Sequence, residues 1–149
     1  MAGLFMVSSR DILIEKFSNK RNTLTEALAQ LTNYAAENPT RPIEIAGLIQ
    51  GFEFTFEATW KVLNVAVQLK GVDCAGPRDS LKAAHALRIL EEQHLWLEML
   101  EDRNQTTHRY DAEFVNSLAA TIQKSYLPAF HRLLLVLNDF ESDPLFSES

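Results

Sequence analysis

Apolar residues recur along most of this chain in steps of three, four and seven, the spacing that lines one face of an α-helix. From Asp11 to about Asn38 the stripe is Leu13, Phe17, Leu24, Leu28, Leu31 and Ala35. The run Glu37-Asn38-Pro39-Thr40-Arg41-Pro42 breaks it. Pro42 suits the first turn of a second helix, where a missing N–H leaves no bond unmade. That helix carries Ile45, Leu48, Ile49, Phe52, Phe56, Trp60, Leu63 and Val67, and Gly71 can close it in the left-handed conformation. As the most apolar segment it is predicted at the centre of the core. After the loop 71–76, Pro77 opens a shorter helix reaching about Ile89. A fourth segment, from about Glu92 to Asn104, carries Leu95, Trp96, Met99 and Leu100. Asp111 is placed to cap the last helix, striped by Phe114, Leu118, Ile122, Tyr126, Ala129, Leu133 and Leu137 and bent by Pro128. No period-two strand pattern competes and no repeat is visible. The pattern predicts an all-α fold, an up-and-down antiparallel four-helix bundle with a short extra helix.

Length changes this picture little: 149 residues suit one helical domain over 1–149, with 1–10 and 142–149 expected to be loosely ordered ends. A lone cysteine, Cys74, offers neither an internal disulfide nor a thiolate cluster, which fits a reducing cytoplasm. No stretch approaches the ~20 apolar residues of a membrane span. The start, Met1-Ala2-Gly3-Leu4-Phe5-Met6-Val7, lacks the basic region and long apolar core of a signal peptide. Charge matters more. With 14 basic and 20 acidic residues the net charge is −6, which excludes a broadly basic nucleic-acid coat. Any contact with RNA must come from a local patch, or from two patches joined by dimerisation.

The densest polar cluster is Glu101-Asp102-Arg103-Asn104-Gln105-Thr106-Thr107-His108-Arg109-Tyr110-Asp111. It falls where the fourth helix must end, since Asn104 and two threonines are poor helix formers. Arginine offers a planar donor fork matched to phosphate oxygens. Histidine exchanges protons near neutral pH. Together, Arg103 and His108 form a minimal kit for cutting RNA without a metal or cofactor: the imidazole serves the 2′-hydroxyl or the leaving 5′-oxygen, and the guanidinium stabilises charge on phosphorus. Residues five apart on a straight helix point about 140° apart, so the two converge only if the helix has ended or widened by His108. The same residues also suit a simple helix-terminal turn, with Arg103 paired to Glu101 or a neighbouring carboxylate and His108 on free carbonyls.

Other polar groups are less telling. Glu91-Glu92-Gln93-His94 has the E-x-x-H spacing of helical di-metal sites, but such a site needs a second copy and none exists, so no metal is expected. Glu53 and Glu57, four apart on the second helix, either bracket a basic group or form its wet side. Arg78 and Lys82, one turn apart after Pro77, either add charge beside a phosphate or sit on an exposed helix start. His85 and His131 have no evident partner. Phe52, Phe54, Phe56 and Trp60 lie in too apolar a context for stacking on bases and predict core or dimer packing. There is no Gly-rich phosphate loop, no G-x-S-x-G and no paired-Asp motif for a metal–nucleotide. The chain is not expected to transfer nucleotides by itself.

Three stretches carry a resemblance to a known family, over about Leu24 to Leu137. The first is Phe52-Glu53-Phe54-Thr55-Phe56-Glu57-Ala58-Thr59-Trp60-Lys61, close to F-E-x-x-x-E-x-x-W-K. The second is Pro77-Arg78 followed by Leu81-Lys82-Ala83-Ala84. The third runs from Trp96 to Tyr110 and contains R-x4-H-x-Y at Arg103, His108 and Tyr110. In these the chain resembles the nucleotidyltransferase substrate-binding proteins of the HEPN superfamily, which include the HepT-like toxins. One departure stands after the Pro–Arg helix, where relatives often carry an aromatic residue and then glycine and this chain has His85 and Arg88.

The resemblance implies a homodimer with the Arg–His motifs of both chains near a shared cleft. It implies a minimal nucleotidyltransferase as partner, and RNA as substrate with transfer RNA as a candidate target. By transfer, Arg103 and His108 are the ribonuclease pair, and Asn104 and Asp102 support them. Tyr110 matches the tyrosine that the partner adenylylates, a change that would fill the cleft with bulk and negative charge. Arg78, Lys82 and Arg109 are the remaining candidates for phosphate contact.

Overall fold

The computed structural model describes residues 8–142, and these form helices joined by short turns. Helix α1 spans Ser9–Ala36, α2 Pro42–Leu69, α3 Gly76–Ala86, α4 Gln93–Gln105, α5 Ala112–Thr121 and α6 Leu127–Ser142. The expected loose ends at 1–7 and 143–149 lie outside the described residues. Ser9 and Arg10 are already helical, because Ser8 caps α1 by accepting the Asp11 N–H at 3.0 Å.

Local chemistry sets most boundaries. Gly71 (φ 88°) ends α2 as expected: its N–H reaches the Gln68 carbonyl at 2.9 Å and that of Val72 reaches Val67 at 2.9 Å. The end of α3 has the same double bond with a less suited residue. Arg88 takes φ 62°, its N–H meets the His85 carbonyl at 3.0 Å and the Ile89 N–H meets Ala84 at 2.9 Å. Helix α3 therefore stops at Ala86, short of the expected Ile89, and Ile89 and Leu90 turn into the core. Asp111 caps α5, accepting the Phe114 N–H at 3.1 Å.

The last helical segment is bent, but not by proline alone. Residues Ile122–Tyr126 form a π-helical turn between α5 and α6, and the Leu127 N–H reaches back to Ile122. Pro128 has no N–H and crowds the carbonyl four residues earlier, so the wider turn just before it accommodates the ring. Tyr126, the last residue of this turn, is buried.

Pairings along the helices fix the topology. Arg10 donates to the Leu69 carbonyl at 3.0 Å while Gly51 lies against Leu31 and Tyr34, so α1 and α2 are antiparallel. Trp96 against Phe130 and Glu92 against Arg132 set α4 antiparallel to α6. Phe17 against Phe140 and Thr32 against His131 do the same for α1 and α6. The described chain is an antiparallel bundle of α1, α2, α4 and the bent α5–α6 unit, with α3 as the short extra helix. Helix α2 supplies the middle of the core, including fully buried Leu48, Phe52, Phe56, Val62 and Leu63. Its buried Thr55 and Thr59 hydroxyls donate to carbonyls one turn back, at 2.8 and 2.7 Å, so neither is left unpaired. Of the four aromatic residues expected in core or dimer packing, Phe54 is outside the core, 58% exposed. It lies two residues from both Phe52 and Phe56, about 200° away around the helix, so all three cannot face inward.

Candidate active site

Two of the sequence blocks meet in space. Helix α4 ends at Gln105, and Thr106 caps it, its N–H reaching the carbonyls of Asp102 and Arg103 at 3.2 and 3.3 Å. The chain then turns, with the N–H groups of His108 and Arg109 both on the Gln105 carbonyl at 2.9 Å. The helix has thus ended before His108, as convergence of Arg103 and His108 requires.

Arg103 points across to α2, where its Nη2 donates to Glu57 Oε2 at 2.8 Å, and its Nη1 donates to Asn104 Oδ1 at 3.3 Å. Both charged side chains of that ion pair are 34% exposed, so the guanidinium is oriented yet reachable. Glu57 is itself fixed by the Trp60 indole N–H at 3.0 Å and by Lys61 at 3.6 Å. One turn earlier on α2, Glu53 accepts from the Thr106 hydroxyl at 3.2 Å, and that hydroxyl also sits 2.7 Å from the Arg103 carbonyl. So the two glutamates bracket the end of α4. Only Glu57 meets a basic group, Arg103, while Glu53 meets a hydroxyl, so the two do not jointly bracket a cation. Glu57, Trp60 and Glu53 were not among the candidate site residues, although their spacing along α2 marked one face.

His108 is exposed, and its ring makes no hydrogen bond or ion pair among the described residues. Tyr110 is 79% exposed, and its hydroxyl donates to the Thr107 carbonyl at 3.1 Å. Arg109 is committed elsewhere: it grips Asp111 with two bonds of 3.1 Å and lies 4.6 Å over the Phe114 ring. These bonds, with the Phe114 N–H, hold the Asp111 carboxyl below its ordinary range. The side chains around the turn balance in charge, with Lys61, Arg103 and Arg109 set against Glu53, Glu57 and Asp111.

Asp102 faces the other way. Its carboxylate accepts from the Tyr126 hydroxyl, and Tyr126 stacks on Phe52 at 5.5 Å. Burial raises the Asp102 carboxyl above the usual range, helped by the charges of Glu98 and Glu101 and opposed by the Tyr126 bond. Burial and the same pairing push the Tyr126 phenol upward. Asp102 lies three residues after the buried Met99, so it continues the inward stripe of α4, a signal present in the spacing. Arg78 and Lys82 lie on α3, and among the described residues neither bonds to the Arg103–Asp111 segment.

The E-x-x-H pair, Glu91 and His94, does not share a helix: α4 begins only at Gln93, the intervening Glu92 sits at φ 56°, and His94 pairs with Glu98 at 2.9 Å. Among the described residues no three His, Cys, Asp or Glu side chains gather as a metal site.

Residues 15–139 match the family described as nucleotidyltransferase substrate binding protein like. The chain belongs to this family of nucleotidyltransferase substrate-binding-like proteins. A relative from Haemophilus influenzae (strain Rd), described as a probable ribonuclease HepT, is 30% identical over 83 residues. That match spans 52% of this chain and 57% of the relative, so it covers little more than half of either. A solved structure from Thermus thermophilus is 29% identical, with a TM-score of 0.68 over 80% of this chain and 99% of that one. A chain of the toxin–antitoxin pair MntA–HepT superposes with a TM-score of 0.70 over 84% of this chain and 98% of that one. At 15% identity this second likeness concerns the fold alone. Within the family this member has Arg88 in the left-handed region, a conformation that glycine would adopt without strain. Among the described residues no helix is long and apolar enough to cross a membrane.

Proposed function

We propose that this chain is the toxin of a two-component module, a metal-independent HEPN-type endoribonuclease restrained by a minimal nucleotidyltransferase. One observation carries the reading: beyond the end of α4 the ring of His108 makes no hydrogen bond or ion pair among the described residues, while Arg103 in the last turn of α4 is oriented by Glu57. In the acting homodimer, two such turns face one cleft. One His108 accepts the proton of a ribose 2′-hydroxyl, whose oxygen then attacks the adjoining phosphorus. The bond from phosphorus to the 5′-oxygen breaks, and the partner's His108, as imidazolium, supplies the proton to that oxygen. Arg103 stabilises the extra negative charge on the phosphoryl oxygens. The products are a 2′,3′-cyclic phosphate and a 5′-hydroxyl. The family description names a nucleotidyltransferase, and the name of the Haemophilus influenzae relative, probable ribonuclease HepT, supports the ribonuclease reading. The exposed Tyr110 is where adenylylation by that partner would block the cleft.

A second reading has its own support. The Glu57–Arg103 ion pair and the charge balance around it also suit a non-catalytic subunit that presents substrate to the nucleotidyltransferase. Incubating purified protein with cellular RNA, transfer RNA included, in EDTA separates the two. Fragments ending in 2′,3′-cyclic phosphate are expected; intact RNA together with stable binding of the nucleotidyltransferase would favour the second reading.

A further inference from the structure

Two grooves flank the Glu57–Arg103 pair, and each combines an exposed aromatic ring with a cation. The first lies between α1 and α2, about 290 Å³ in volume, with Phe54, Lys20 and Lys61 on its walls and Glu57 at its edge. The second, about 170 Å³, is formed where α2 meets the turn and α5, by Ile49, Thr106, Arg109, Tyr110 and Phe114. An apolar cavity of about 150 Å³ is enough to take up benzene, so each groove has room for a flat ring. Both open on the stripe of α2 that carries Glu53 and Glu57. Their α2 walls are centred about ten residues apart, or about 15 Å at the helical rise.

We infer that this face is a track for unpaired RNA, with one base seated on each side of the Arg103–His108 turn. This rests on the ribonuclease reading and names its substrate class. The chemistry favours bases over backbone. A strand held mainly by phosphates needs a surplus of cations, whereas here Lys61, Arg103 and Arg109 each have a carboxylate neighbour and, among the described residues, only Lys20 of the four has none. Stacking on Phe54 and on the Tyr110–Phe114 groove needs no such surplus and works with any base. A duplex keeps its bases stacked inside and can offer neither groove a ring. The track therefore selects unpaired segments, and its salt dependence is shallow. It also gives Phe54 a reason to be exposed among buried aromatic neighbours.

The test is fluorescence anisotropy with a short labelled RNA, made uncleavable by 2′-O-methyl groups, against a duplex of the same strand. The single strand is expected to bind at least tenfold more tightly. Phe54→Ala, and Ala46→Trp, which fills the second groove from its exposed rim, are each expected to weaken it about tenfold or more. Removing the seated base while keeping its sugar and phosphate should reproduce either loss and add nothing to it. Equal binding of duplex, or unchanged affinity in both variants, would overturn the track. So would a shift of Phe54→Ala from dimer to monomer in sedimentation with RNA affinity intact, since a second copy would then cover the groove. Because this binding is read without cleavage, failure of the ribonuclease reading (no cleavage by the wild type) and failure of the track (no preference for the single strand) are told apart. Conversely, full cleavage of unpaired RNA by both variants would sink the track alone.

Discussion

The two ends of α4 carry similar residues and reach opposite outcomes. At its start stand a histidine, an arginine from α6 and two glutamates, and all four are matched: His94 with Glu98 at 2.9 Å and Arg132 with Glu92 at 2.8 Å. At its far end Arg103 is matched by Glu57 at 2.8 Å, yet His108 has no partner among the described residues. Helix periodicity accounts for the difference. His94 lies inside the helix with a carboxylate four residues on, where side chains meet. His108 lies beyond the helix end, in a turn whose backbone bonds fall on the Gln105 carbonyl. Of the two ends, the far one combines an arginine held in an ion pair with a histidine that has no side-chain partner among the described residues.

Exchanging the arginines should give the largest contrast. Arg103→Ala is expected to lower the rate of RNA cleavage about 10²–10³-fold, as removal of one charge-stabilising donor does. Arg132→Ala should leave the rate within about twofold, because an exposed ion pair contributes little. Equal losses in both, measured at matched folding by circular dichroism, would break the comparison.

The next effect lies behind the site. Tyr126→Phe leaves the half-buried Asp102 carboxylate without its donor, which is expected to cost about 1–3 kcal/mol in denaturant unfolding. Cleavage by the folded variant should change much less than its stability. Smaller, and at the other end of α4, Arg88→Gly removes a side chain from the left-handed position at φ 62°. The relief of strain outweighs the added freedom of the unfolded chain, for a gain of about 0.5–1 kcal/mol. The midpoint of thermal unfolding should rise by about 1–4 °C.

The smallest effect is a pair of opposed slopes. Burial raises the Asp102 carboxyl in the folded state, so its stabilising contribution is full below the unfolded value of about 3.9 and is lost as pH rises through the folded one. The stability of Asp102→Asn relative to wild type should therefore improve as pH climbs from about 4 towards 7. Asp111 is lowered by Arg109 and the Phe114 N–H, so its contribution is present above the unfolded value and lost as pH falls through the folded one. Asp111→Asn should thus be destabilised at neutral pH and approach wild type in acid. Unfolding curves at several pH values check both signs.

How much of this was legible in the sequence follows from how local each signal is. Pro42, Gly71 and Asp111 act within one turn, and each does at the helix ends what its chemistry predicts. The α2 stripe of Phe52, Phe56 and Leu63 is equally local, and it is buried. The π-turn at Ile122–Tyr126 was not readable, since one extra residue per turn leaves the apolar spacing nearly unchanged; Pro128 only marks the neighbourhood. Glu57 meets Arg103 across 46 positions of chain, and such a pairing depends on how two helices are packed, not on either one alone. The inward turn of Asp102 was readable from Met99. It was hidden by its place beside Arg103, although neighbours on a helix point about 100° apart.

The decisive comparison sets His108, beyond the end of α4, against His94 inside it. His108→Ala and His94→Ala, purified in EDTA and matched in folding and in oligomeric state, are compared with wild type on the same RNA. His108→Ala is expected to lose at least about 10²-fold in rate while His94→Ala keeps the wild-type rate and the same 2′,3′-cyclic ends. Cleavage undiminished in His108→Ala would contradict the role given to His108.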